Sequence, residues 1–209
     1  MLSQIMRIPS GYLNSVNDPS IGNLTAPPFG PSPFAGQLGK QLQFTLGENA
    51  NANASIGTVL NGTGRYVRLA AGAGTPIIGQ IYYWDISVAE NLWQVTTAES
   101  GSTDAAMFIA GVGLSLSPTP GNYTFIQDSG PVFTKFRATL TAAGAVGSRV
   151  YAAASGGADL GFADVIDSTN AAQFGDVSKM IGRFLGIAED APTNGGLKRV
   201  NLMFKNLRG

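Results

Sequence analysis

From residue 40 onward, the apolar residues of this chain recur at every second position. Leu42, Phe44 and Leu46 alternate with Gln41, Gln43 and Thr45. Phe136, Ala138 and Leu140 alternate with Lys135, Arg137 and Thr139, and Val200, Leu202 and Phe204 with Asn201, Met203 and Lys205. A period of two places apolar side chains on one face of an extended strand. Between such runs stand turn formers: Gly62-Thr63-Gly64, Gly72-Ala73-Gly74, Pro118-Thr119-Pro120-Gly121 and Asn194-Gly195-Gly196. Short alternating runs and frequent turns predict an all-β fold, a compact barrel or sandwich of short antiparallel strands. The 28 glycines and a charged share of only 12% agree with sheet over helix. Residues 166–185 alone have room for a helix of any length, and Gly175 and Gly182 weaken it.

Residues 1–39 differ from the 40–209 domain. They hold Pro9, Pro19, Pro27, Pro28, Pro31 and Pro33, and their only charges are Arg7 and Asp18. Prolines at this density exclude helix and central strand and favour extended chain. Ordinary disordered tails are charged and poor in apolar residues. This segment carries Ile5, Ile8, Tyr12, Leu13, Phe29 and Phe34. Spaced apolar anchors on an extended arm suit docking along a neighbouring subunit; packing on the arm's own domain and a floppy tail are the alternatives.

A faint internal repeat runs through the rest. Arg68-Leu69-Ala70-Ala71-Gly72-Ala73 precedes Gly79-Gln80-Ile81-Tyr82, and Thr139-Leu140-Thr141-Ala142-Ala143-Gly144-Ala145 precedes Gly147-Ser148-Arg149-Val150-Tyr151. Each half then reaches a glycine-marked strand, Phe108-Ile109-Ala110-Gly111-Val112 or Phe184-Leu185-Gly186-Ile187-Ala188, followed by a proline turn. Two related hairpin sets closing one barrel account for this pattern.

The chain has no histidine and no cysteine. That removes thiol chemistry, most nucleophile–base pairs and the usual zinc and copper ligands, so neither an enzyme nor a cofactor is expected. Thirteen basic and thirteen acidic residues cancel, which gives no electrostatic drive towards nucleic acid or an anionic membrane. Met1 to Pro9 lacks the apolar run of a secretory leader, and the absence of cysteine suits synthesis in a reducing cytoplasm. Gly72 to Gly79 resembles a phosphate loop but lacks its Lys-Ser/Thr, so a turn between strands is expected. Asp159, Asp164 and Asp167 do not have calcium-loop spacing and read as solvated loop acids. Glu189-Asp190 or Glu99 with Asp104 would be the carboxylates of a hydrolase, the weakest of the readings.

The aromatic concentration is Ile81-Tyr82-Tyr83-Trp84-Asp85, with Trp93 nearby. Consecutive rings on a strand point to both faces. Tyr82, Tyr83, Trp84 and Trp93 are therefore candidate interface residues, the alternative being mixed core and surface packing.

Several segments carry a family likeness: Phe108-Ile109-Ala110-Gly111-Val112-Gly113, the turn and strand Gly121 to Gly130, Ala142-Ala143-Gly144-Ala145-Val146-Gly147 with Val150-Tyr151, Ile181 to Ala188, and the terminal Leu197-to-Phe204 strand. Over about residues 65–205 the chain resembles the capsid decoration, or cement, proteins of tailed bacteriophages. The resemblance implies a β-barrel-like domain without enzyme activity. It implies binding to the major capsid protein on the outer surface of the virion shell, as trimers or dimers, after synthesis in the host cytoplasm. The other class considered is a tail-fibre, baseplate or receptor-binding module whose aromatics contact a host glycan.

Overall fold

The computed structural model describes residues 39, 41–44, 62–71, 77, 79–85, 88, 93–97, 108–114, 123–153, 161–166 and 184–203. Among them every regular element is a strand. The eleven are β1 (Gln41–Phe44), β2 (Gly62–Leu69), β3 (Ile81–Trp84), β4 (Gln94–Thr96), β5 (Ile109–Gly113), β6 (Tyr123–Gln127), β7 (Gly130–Lys135), β8 (Arg149–Ala152), β9 (Ala163–Val165), β10 (Phe184–Ala188) and β11 (Leu197–Leu202). The protein is all-β, as the period of two requires.

The first half closes on itself. β2 pairs with β6 along one edge, and its other edge is shared by β1 at the start and by β4, in parallel, at the end. β4, β3, β5 and β6 complete the circuit. Alternation then gives the barrel an inner and an outer wall. Val67, Leu69, Tyr82, Trp84, Val95, Ala110 and Ile126 come from all five barrel strands and form one buried cluster, the barrel interior.

The second half is a sheet in the order β7-β11-β10-β8-β9. A parallel bridge from Phe136 to Ala163 joins its two ends, so it too curls round. A second, larger buried cluster spans both halves. The outer wall of the barrel supplies Tyr66, Ile81, Tyr83, Ile109, Val112 and Phe125, and the second sheet supplies Val132, Phe136, Val150, Leu185, Val200 and Leu202.

The two halves are copies, down to the register. Ile81 faces Val112 and Tyr82 faces Gly111; after a bulge, Tyr83 faces Ile109. Arg149 faces Ile187 and Val150 faces Gly186; after a bulge at the same place, Tyr151 faces Phe184. Leu69 pairs in parallel with Val95, as Phe136 does with Ala163. At both bulges glycine is obligatory for space. A Cβ on Gly111 would lie 2.5 Å from the Gln127 carbonyl oxygen, and one on Gly186 would collide with that of Asn201. The sequence repeat is therefore real, but each set of strands curls on itself instead of both closing one barrel.

Two other expectations change. The run Lys135–Leu140 alternates like a strand, yet β7 ends at Lys135. Beyond it the Arg137 N–H donates to the Ala163 carbonyl at 3.0 Å. The Asp164 carboxylate draws in the Arg137 guanidinium at 2.9 Å and the Thr141 N–H at 2.9 Å, which takes the chain out of the sheet. Asp164 is thus a buried strand residue, not a solvated loop acid. Most of the potential helix 166–185 lies outside the described residues; its last two positions, Phe184 and Leu185, are in β10.

Candidate interaction surface

The Tyr82–Trp84 strand lies inside the molecule. Tyr82, Tyr83 and Trp84 are 0%, 2% and 2% exposed. Neighbours on a strand do point oppositely, but both faces of β3 are covered: Tyr82 and Trp84 fill the barrel, while Tyr83 enters the core between the halves. This corrects the expectation of an interface there, because no partner reaches these rings. The Tyr82 hydroxyl has no hydrogen-bond partner among the described residues, and burial pushes its pKa above the usual phenol range.

Trp93 has a different role. It is half-buried, with its backbone in the left-handed region at φ 45°. Its ring meets Trp84 edge-on with centroids 5.7 Å apart. The Arg65 guanidinium sits 5.5 Å from its centroid, within cation–π range. A Cβ on Gly39, at φ 75°, would collide with the indole, so the backbone of Gly39 lies directly against it.

Around this ring a buried polar set fixes Gly39. The Gly39 N–H donates to the Tyr66 carbonyl at 2.8 Å, and Arg65 Nη1 donates to the Gly39 carbonyl at 2.8 Å. Arg65 Nε pairs with Asp128 Oδ2 at 3.1 Å. Thr63 Oγ1 donates to Asp128 Oδ1 at 2.6 Å. Both charged groups are almost fully buried, and an arrangement of this kind holds only while each partner is present. Sequence reading did not find Arg65; β2 carries a second arginine, Arg68, so charge within the strand does not single it out. Ile5, Ile8, Tyr12, Leu13, Phe29 and Phe34, the proposed anchors of the arm, lie outside the described residues.

Among the described residues the large exposed apolar side chains are Ile77 before β3 and, in the second half, Val146 and Met203. Residues 138–147 run outside the sheet, with Ala138, Ala143, Ala145 and Val146 open to solvent. The segment is fixed. The Ala142 N–H donates to the Val165 carbonyl at 3.1 Å, Leu140 N–H to Asn194 Oδ1 at 3.0 Å, and Gly144 packs against Pro192. It borders a groove of about 580 Å³ lined by Ala142, Gly147, Arg149, Tyr151 and Val165, among others.

The carboxylates have structural partners. Asp164 holds Arg137 and Thr141, and Arg199 pairs with Glu189 at 2.9 Å and with Asp190 at 3.5 Å. Glu99 and Asp104 lie outside the described residues. What the described surface offers is Gly39 held at the barrel wall and a hydrogen-bonded segment with exposed alanine and valine side chains. No protein-family model matches the chain, and no curated protein matches it significantly.

Proposed function

We propose that this chain is a non-enzymatic structural protein of the virion, a decoration protein that binds the outer surface of a phage capsid and clamps neighbouring major capsid protein subunits. The observation that carries the reading is the fixed root of the arm. A strap transmits load only if one end is immobile, and Gly39 is held by Tyr66, Arg65 and Trp93 at the wall of a closed barrel. The chain before it combines six prolines with spaced apolar residues and almost no charge. Such a segment binds by apolar burial along a surface, with little ordering cost because proline already restricts it. A protein that binds the assembled shell but not its separated subunits stabilises the shell by mass action, and body and strap together raise the effective concentration of each contact. The receptor-binding alternative relied on exposed aromatics, and Tyr82, Tyr83 and Trp84 are buried.

The test is truncation. Deleting residues 1–36 removes the strap and leaves Gly39 and the barrel intact. The truncated protein should keep the melting temperature of the full chain and bind empty shells far more weakly. Equal binding by the two forms would remove the arm from the mechanism.

A further inference from the structure

The chain contains two Asn-Gly pairs, at 61–62 and 194–195, and the second lies wholly within the described residues. It forms a turn between β10 and β11. The Gly196 N–H donates to the Thr193 carbonyl at 2.9 Å, and Gly195 stands at φ 63°. Asn194 is exposed. Asparagine side chains lose their amide slowly in water, and most readily before glycine, which has no side chain to hinder its own nitrogen.

The hydrogen bonds around this pair act in two directions. The Leu140 N–H donates to Asn194 Oδ1 at 3.0 Å. That bond draws electron density from Cγ and is already aimed at the oxygen on which negative charge develops when Cγ is attacked. The attacking nitrogen is restrained. The Gly195 N–H donates to the Arg137 carbonyl at 2.7 Å, and Lys135 Nζ donates to the Gly195 carbonyl at 2.6 Å. A main-chain nitrogen attacks only after it has lost its proton, and in the closed turn that proton is engaged by Arg137. Arg137 is itself held, through its guanidinium, by Asp164 at 2.9 Å. One segment, 137–140, therefore polarises the carbon and holds back the nitrogen.

We propose that Asn194 is a modification site, converted to aspartate and isoaspartate in the intervals when the Arg137 carbonyl releases Gly195. The Gly195 nitrogen then gives its proton to hydroxide and bonds to Asn194 Cγ. The Cγ–Nδ2 bond breaks, and the side-chain nitrogen takes up a proton from water and leaves as ammonia. Water opens the resulting succinimide ring at either carbonyl carbon. Breaking the new bond to Cγ leaves aspartate. Breaking the bond from the Gly195 nitrogen to the main-chain carbonyl carbon of residue 194 leaves isoaspartate, with the main chain routed through Cγ. Aspartate keeps an oxygen for the Leu140 N–H. Isoaspartate lengthens the main chain within the turn and withdraws that oxygen, which loosens the segment 138–147 that the Leu140 bond helps to fix. This inference does not rest on the capsid reading; it concerns the purified chain alone.

Storage of the full chain at mildly alkaline pH, folded and in urea, tests it. Peptide mapping reads the mass change from amide to acid at residue 194, and enzymatic methylation reads isoaspartate. Residue 194 should convert in both samples, about ten- to a hundredfold more slowly in the folded chain, because the reaction follows the open fraction of the turn. Lys135→Met removes one restraint on Gly195 and should raise the folded rate severalfold, with the rate in urea unchanged. The isoaspartate-bearing fraction should be cut by elastase within 138–147 faster than fresh protein, whereas Asn194→Asp should not. Equal rates in the folded and unfolded wild type, no conversion in the folded chain over about a hundred half-times of the unfolded one, or a Lys135→Met rate equal to that of the wild type would each overturn the proposal. An elastase pattern that isoaspartate leaves unchanged would overturn its coupling to the 138–147 segment.

Discussion

Arg65 and Asp128 form an ion pair of 3.1 Å, with side chains 7% and 4% exposed, beside Gly39 at the wall of the barrel. Arg65 also donates to the Gly39 carbonyl, so one guanidinium joins β2, the turn after β6 and Gly39. Removing one partner leaves the other buried and uncompensated. Asp128→Ala should cost about 3–5 kcal/mol of unfolding free energy, measured by denaturant titration. A loss below about 1 kcal/mol, the range of an exposed pair, would show that the pair is not buried in solution.

Gly39→Ala tests the root itself. The added methyl meets the Trp93 indole, and the residue stays at positive φ, where a Cβ costs about 1–2 kcal/mol. The barrel should keep its fold while the root loosens. Limited proteolysis should then cut near residue 39 faster than in the wild type, and an unchanged cleavage rate would contradict the packing of Gly39 on Trp93.

Glycines of the repeat separate into two kinds. Gly186 faces the Asn201 carbonyl with no space for a methyl, whereas Gly147 opens into solvent. Gly186→Ala should destabilise by about 1–3 kcal/mol through overpacking against backbone. Gly147→Ala should cost about 1 kcal/mol, from its positive φ alone. Thermal melts of the two variants decide this, and the reverse order would refute the shared bulge geometry.

Tyr82 carries a pH dependence. Its hydroxyl is buried and its pKa raised, so the folded protein holds this proton to higher pH than the unfolded chain does. The unfolded chain loses it first, at about the ordinary phenol value of 10. Stability from this group is therefore complete below about pH 10 and falls as pH rises beyond it. Tyr82→Phe should flatten that fall. At neutral pH it should be neutral, or stabilising by about 1 kcal/mol, because the hydroxyl lacks a partner among the described residues. Urea titrations of both proteins at pH 7 and above pH 10 measure the difference.

The strands were legible because their signal is local. Val200 and Leu202 point inward from β11 as their alternation predicts, and the glycines at 79, 147, 111 and 186 mark the repeat. The alanine-rich stretches did not align with it. Structurally, Leu69 corresponds to Phe136 and not to Leu140, so the alanine runs fall at different places in two linkers of nearly equal length. Burial of Tyr82 to Trp84 was hidden for a different reason. A strand covered on both faces needs two cores, and whether a second layer exists depends on residues far away, such as Val132 and Leu185. The arm root was equally illegible, because Gly39, Arg65, Trp93 and Asp128 are brought together only by closure of the barrel.

The central claim is that this protein makes a shell more robust by binding it, and one titration addresses that most directly. Phage heads lacking the protein are mixed with increasing amounts of the purified full chain, and the temperature at which they release DNA is recorded. The account predicts a release temperature that rises and saturates at a fixed ratio of this chain to the major capsid protein, because the sites are set by shell symmetry. A release temperature that is the same with and without bound protein would contradict it.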